Sequence, residues 1–317
     1  MQSATILVYK LFKITINRQI NNNIIMHKSR TGGRKMKKMP VLLTFDVDGE
    51  MIWRCRDPEN ANRPVALSLG EYGIKCGLPR ILKTLDQFNI PATFFVPGFI
   101  AEKYPSVIPS LNNGKNDIGN HSYSHTYPDK FPSKEAEEED YQKAQKILTE
   151  QLGWEPKGYR SPAWEYSVHS LDIIENMGFE YASNMMGSDS IEYLDTSAVP
   201  GGRKSNIVEL PIHWILDDAA FWMYSVRIVG KAMQPLDSVL DCWCREFDGL
   251  YEDYLTEIEE KGESDICFVL TCHPQIIGRP SRISVLKRLI EHMNGTGNVE
   301  YITARTAVER FRQRHES

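Results

Sequence analysis

Nowhere does the chain carry an uninterrupted apolar run approaching the ~18 residues that a membrane-spanning helix needs, so no membrane partner is expected. Cysteine is scarce: Cys55, Cys76, Cys242, Cys244, Cys267 and Cys272 are all there are in 317 residues, and no two form a Cys-x-x-Cys pair. That excludes a disulfide scaffold and favours reduced thiols in a reducing, cytoplasmic compartment. No Ser- or Gly-rich linker marks a domain boundary, and no internal repeat is present. With 41% hydrophobic and 25% charged residues, the chain is neither disordered nor fibrous.

Acidic residues are missing altogether from positions 1–40, which hold nine lysines and arginines. The rest of the chain therefore sets 28 of the 37 basic residues against all 42 acidic ones, a balance of −14. So acidic a body is a poor nucleic-acid binder. For the basic segment, three readings compete: an organelle transit peptide, a disordered tail, or an upstream start codon ahead of Met36 or Met39. A secretory signal is disfavoured, because Lys10 interrupts the apolar run Ala4–Tyr9 and no small-residue cleavage site follows. Composition switches abruptly at Pro40, which favours a dispensable tail or misplaced start. Residues 1–39 are accordingly read as an extension and 40–317 as one folded domain.

From Pro40 onward, short β-rich runs alternate with helical patterns. Strands are predicted at Val41–Phe45, Ala92–Val96, Asp117–Gly119, Phe179–Ser183, Ile207–Leu210 and Ile266–Thr271. Helices are predicted at Pro79–Phe88, from a Ser133 cap to Leu152, at Ser167–Met177, at the acidic segment Asp237–Lys261, and on the faces Ile283/Leu286/Ile290/Met293 and Ala304/Ala307/Val308/Phe311. The polar stretch Gly187–Ser205 reads as a surface loop. This rhythm implies an α/β fold, a parallel sheet covered by helices, and a closed or nearly closed βα barrel rather than two domains.

Several motifs sit where strands end. Thr44-Phe45-Asp46-Val47-Asp48-Gly49 closes an apolar strand with two carboxylates at i and i+2, which extended geometry turns to the same side. Such a string is also common in ordinary turns. His121-Ser122-Tyr123-Ser124-His125 has the i, i+4 spacing that puts two imidazoles on one side of a helical turn; it suits a metal, or is simply two solvated histidines. His273 follows a buried strand, and Cys272 beside it reads as strand filler. Arg160 in Tyr159-Arg160-Ser161-Pro162-Ala163-Trp164-Glu165 could orient a carboxylate or make a surface salt bridge. Leu210-Pro211-Ile212-His213-Trp214-Ile215-Leu216-Asp217-Asp218 offers an aromatic wall, or core. Taken together, Asp48, His121 and His125 form a two-His, one-carboxylate set with open positions, as in catalytic metal sites. Asp46 is then placed as base and His273 as acid.

Over residues 40–310 the chain resembles the polysaccharide deacetylase family, carbohydrate esterase family 4, through four ordered motifs: Thr44–Gly49, His121–His125, Arg160–Trp164 and Leu270–His273. The resemblance implies a distorted (β/α) barrel in a single domain, one divalent metal, and hydrolysis of non-peptide carbon–nitrogen bonds in carbohydrate metabolism. It implies Asp46 as catalytic base, Asp48, His121 and His125 as metal ligands, Arg160 as the residue holding the base, and His273 as acid. Trp164 and Trp214 are taken as substrate-binding. Zinc is the default metal, with manganese, cobalt and iron as alternatives. Related proteins are often oligomers, so Asp237–Lys261 is either solvated or a homo-oligomer interface. The departure is Val47, which separates two aspartates adjacent in the common pattern. With the Trp214–Asp218 string and Gly278-Arg279-Pro280 after His273-Pro274, it resembles an atypical branch that holds both peptidoglycan deacetylases and cyclic imide hydrolases.

The expected substrate is thus an N-acetyl amino sugar, with a small cyclic imide or ureide as alternative. Two other classes are weighed against this. A non-heme iron oxygenase shares the ligand set, but the order Asp then His-x-x-x-His counts against it. A non-catalytic carbohydrate-binding barrel is disfavoured because Asp46, His121, His125 and His273 are all present.

Overall fold

The computed structural model describes residues 37–224 and 232–316. Among the described residues, nine strands form one sheet: β1 (Met39–Asp46), β2 (Thr93–Val96), β3 (Asp117–Asn120), β4 (Gly158–Tyr159), β5 (Tyr181–Ala182), β6 (Glu192–Asp195), β7 (Lys204–Glu209), β8 (Phe268–Cys272) and β9 (Val299–Tyr301). Their order is β6-β7-β5-β4-β3-β2-β1-β8, and β9 pairs with the start of β1. Every pairing is parallel except β6 with β7. The ends of this curled sheet approach each other through an antiparallel bridge between Ser190 and Ile266, where the Ile191 N–H donates to the Asp265 carbonyl at 2.9 Å. The fold is a distorted βα barrel in one domain. Among the described residues, no helix is long and apolar enough to cross a membrane.

Strand alternation sorts side chains between two environments. On β1, Val41, Leu43 and Phe45 join the core beneath the surrounding helices, while Leu42 joins a separate inner cluster with Phe95 and Val269. Thr44, Asp46 and, one step beyond the strand, Asp48 continue the inward series. On β8, Phe268, Leu270 and Cys272 face the helices, so Val269, Thr271 and His273 continue inward. The Thr44 and Thr271 hydroxyls meet at 3.1 Å across this interior. Each fully buried Leu, Val or Phe contributes roughly 1.5–3 kcal/mol, so the alternation fixes register strongly. Two inward positions are glycine for want of room. A Cβ on Gly119 would lie 2.6 Å from the Phe95 ring, and one on Gly158 would lie 2.0 Å from the Tyr181 ring.

The predicted elements are present with shifted ends. Ser133 caps the helix Lys134–Leu152 by accepting the Ala136 N–H at 3.3 Å. The helix Leu236–Lys261 buries Val239, Leu240, Trp243, Phe247, Tyr251 and Tyr254, and leaves its acidic face outward. Two readings need correction. Gly187–Ser205 is not a plain loop: it holds β6 and the start of β7, an irregular hairpin at the sheet edge. Residues 121–125 are not a helical turn: Ser122 and His125 take left-handed backbone (φ 60° and 56°). The basic extension lies outside the described residues up to Met36. Met39 is already part of β1 and fully buried.

Candidate active site

The catalytic candidates all leave the C-terminal ends of parallel strands, the end where βα barrels assemble their sites. Asp46 ends β1 and Asp48 lies two residues on; His121 follows β3, Arg160 follows β4, and His273 follows β8. Each of the five is less than a tenth exposed.

Asp48 Oδ1 lies 3.3 Å from His121 Nε2 and 3.5 Å from His125 Nε2. It is buried and accepts no hydrogen bond. A bare carboxylate oxygen facing two ring nitrogens is costly unless a cation completes it. Ligands held about 2.0–2.1 Å from one tetrahedral ion stand roughly 3.3–3.4 Å apart, so the spacing fits a metal. His121 is prepared for that role: its Nδ1 lies 2.6 Å from the Arg160 carbonyl. A carbonyl only accepts, so Nδ1 carries the proton and Nε2 keeps its lone pair for a metal. Burial pushes the Asp48 carboxyl up, but His125, His121 and His273 in their protonated forms outweigh it and hold it well below the usual range; a cation held there would take the place of those ring protons.

The left-handed loop that carries both histidines is fixed from outside. Asp140, on the helix Lys134–Leu152, accepts the Tyr123 N–H at 2.7 Å and the Ser124 N–H at 3.1 Å. Asn120 accepts the Ser122 N–H at 2.8 Å and donates to Gln145 at 3.0 Å. The two rings end 5.0 Å apart and nearly perpendicular.

Asp46 is held from the opposite side. Arg160, fully buried, donates from Nη1 to Asp46 Oδ1 at 2.8 Å and to the Thr44 hydroxyl at 3.0 Å. Its Nε and Nη2 bind the carbonyl and hydroxyl of Ser183 at 3.2 and 2.8 Å, and its guanidinium lies over the Phe95 ring. The other Asp46 oxygen, Oδ2, faces the Asp48–His121–His125 group, 4.0 Å from His121 Nε2.

His273 Nδ1 lies 2.7 Å from Asp218, which also accepts the His273 backbone N–H at 3.0 Å. Nε2 is left facing inward, 3.6 Å from Asp48 Oδ2. Burial works against a charged imidazole, but Asp217 and Asp218, with Asp48 behind them, push it up to about 10. The surrounding carboxylates thus favour the imidazolium form, which is suited to give a proton. Burial raises Asp217 to about 7, with His273 opposing and Asp218 adding. Cys272 points to the helix side of β8, and burial raises its thiol far above the usual range, so it is core, not nucleophile.

The aromatic candidates lie on loops leaving the same strand ends. Trp164 and Trp214 stack on each other, ring centres 4.2 Å apart and 18° from parallel. Trp164 is buried, in left-handed backbone (φ 58°), whereas Trp214 is 43% exposed. Of the two, Trp214 is the one exposed. Sequence reasoning missed the partners Thr44, Ser183 and Asp218. For Asp218 there was a signal, two adjacent acids after an apolar run, but nothing local places it beside His273. A parallel bridge between Asp217 and Thr271 does that.

With this geometry established, known proteins give a consistent picture. The family model for polysaccharide deacetylase matches residues 33–182. The chain is similar to the peptidoglycan deacetylase of Helicobacter pylori, 25% identical over an alignment of 299 residues, with coverage of 88% of this chain and 98% of the relative. A crystal structure from Mycobacterium smegmatis bearing the polysaccharide deacetylase name is 31% identical, with a TM-score of 0.75 and coverage of 89% of this chain and 93% of that one. An allantoinase shares the fold at 20% identity, with a TM-score of 0.70 over 90% of this chain and 96% of its own.

Proposed function

The chain belongs to the polysaccharide deacetylase family and is a hydrolase of non-peptide amide C–N bonds; from that premise we propose that it removes the acetyl group from an N-acetyl amino sugar. The observation that carries the reading is the bare Asp48 Oδ1 between two imidazoles, flanked by an arginine-held carboxylate and a carboxylate-held imidazolium. We propose zinc as the ion, held by Asp48, His121 and His125, because two nitrogens and one oxygen at tetrahedral spacing suit it. When bound, such an ion polarises the scissile carbonyl and favours deprotonation of water.

The remaining work falls to this chain's own groups. Asp46 Oδ2 takes the proton of the attacking water, while Arg160 keeps the carboxylate turned inward. His273 Nε2–H gives its proton to the leaving nitrogen, which must depart as a neutral amine. Asp218 holds Nδ1, so the ring presents the correct nitrogen after each turnover. Trp214 supplies an apolar face on which a sugar ring can stack. The six free cysteines support a reducing compartment, the cytoplasm.

Opening a small cyclic imide or ureide breaks the same kind of bond and needs the same groups, so one experiment separates the two. Metal-loaded enzyme is incubated with an N-acetylglucosamine oligomer and succinimide together, and products are read by proton NMR. Released acetate supports the deacetylase reading. Succinamic acid without acetate overturns it in favour of ring opening.

A further inference from the structure

The outer nitrogens of the two histidine ligands are satisfied differently. His121 Nδ1 rests on a backbone carbonyl, but His125 Nδ1 lies 3.3 Å from the sulfur of Cys55. Cys55 ends the short helix Met51–Arg54, which starts three residues after Asp48. The thiol itself donates to the Ile52 carbonyl at 3.8 Å. With its hydrogen turned that way, the sulfur presents lone pairs to His125. The relay then runs one way: Nδ1–H of His125 donates to Sγ, S–H donates to the Ile52 carbonyl, and His125 Nε2 is left with a lone pair. That lone pair points at Asp48 Oδ1, the buried oxygen that accepts no hydrogen bond. Sγ lies against the other ring nitrogen, so it is not itself placed as a ligand.

We propose that Cys55 is a positioning residue for the metal centre: its sulfur fixes the tautomer and ring orientation of His125 and so sets metal affinity. The inference rests on the metal site proposed above. Outer partners of ligating histidines are ordinarily carboxylates, carbonyls or water, and losing one costs about 10–100-fold in affinity. A thiol is a weaker acceptor than those, so His125 is the softer of the two histidine ligands.

The test is zinc affinity by competition with a chromophoric chelator for full-length wild-type protein, Cys55→Ala and Cys55→Ser, with Co2+ absorption spectra alongside. Cys55→Ala is expected to bind about 10–100-fold more weakly and to shift the Co2+ bands. Cys55→Ser, whose hydroxyl accepts and donates in the same relay, should recover the affinity lost in Cys55→Ala. Urea midpoints of the metal-free proteins control for a merely structural role and should agree. Equal affinity and unchanged Co2+ bands in Cys55→Ala would overturn the inference while leaving the metal site intact. Failure of wild-type protein to bind either ion would instead sink the metal reading itself.

Discussion

Replacing Arg160 by methionine tests how Asp46, the proposed base, is held. Arg160 is fully buried, and its Nη1 supplies the hydrogen bond to Asp46 Oδ1 at 2.8 Å. Methionine fills similar volume over Phe95 but strands a carboxylate that is 1% exposed. Removing one partner of a buried ion pair costs about 3–5 kcal/mol, because the other charge is left uncompensated. The Ser183 carbonyl also loses its donor, adding about 1 kcal/mol. The Thr44 hydroxyl is spared, since it already donates to the Leu270 carbonyl at 3.0 Å. Urea unfolding at pH 7 should therefore show a loss of roughly 4–6 kcal/mol in Arg160→Met. Adding Asp46→Asn removes the stranded charge, so the double variant should be more stable than Arg160→Met alone. A loss under about 1 kcal/mol, or a double variant whose losses simply add, would refute the reasoning.

Three further outcomes follow from the same structure. Burial raises Glu209 to about 7 against an ordinary 4.5. The folded protein then holds an extra proton between those values, so this contribution is full below about pH 4.5 and lost as pH rises through about 7. Comparing urea midpoints at pH 5 and 8, Glu209→Gln should remove up to about 3 kcal/mol of that decline, and an unchanged decline would count against it. His273→Ala should lower kcat by about 10²–10⁴ with metal content unchanged by elemental analysis; loss of metal would make His273 a ligand instead. Gly119→Ala should cost about 1–3 kcal/mol in thermal or urea unfolding, because its methyl meets the Phe95 ring; a neutral result would contradict the tight interior.

Much of the candidate site's arrangement was legible because it depends on strand alternation. Asp46 and Asp48 face one way because Leu42 and Thr44 do, and period two shows in a sequence. The same rule turns His273 inward and Cys272 outward. The histidine pair misled as to conformation. Spacing of i, i+4 suits a helix, yet the backbone is left-handed at Ser122 and His125, a geometry imposed by Asp140 and Asn120 from elsewhere in the chain. Strand β6 was illegible because it is a short edge strand in which only Leu194 is fully buried, leaving almost no apolar pattern to read. Asp218 and Cys55 act across distances that no local pattern encodes: one joins His273 over 55 residues, the other His125 over 70.

The measurement closest to the central claim is metal stoichiometry paired with turnover in Asp48→Asn and Asp46→Asn. After dialysis and elemental analysis, wild-type protein should hold one divalent ion per chain. Asp48→Asn, which weakens the proposed oxygen ligand between His121 and His125, should hold little or none and be inactive. Asp46→Asn should keep the ion and still lose acetate release by orders of magnitude, because it removes the proposed base and none of the proposed ligands. An Asp48→Asn protein that retains a full equivalent of metal, or an Asp46→Asn protein that still turns over, would contradict the division of labour between the two carboxylates.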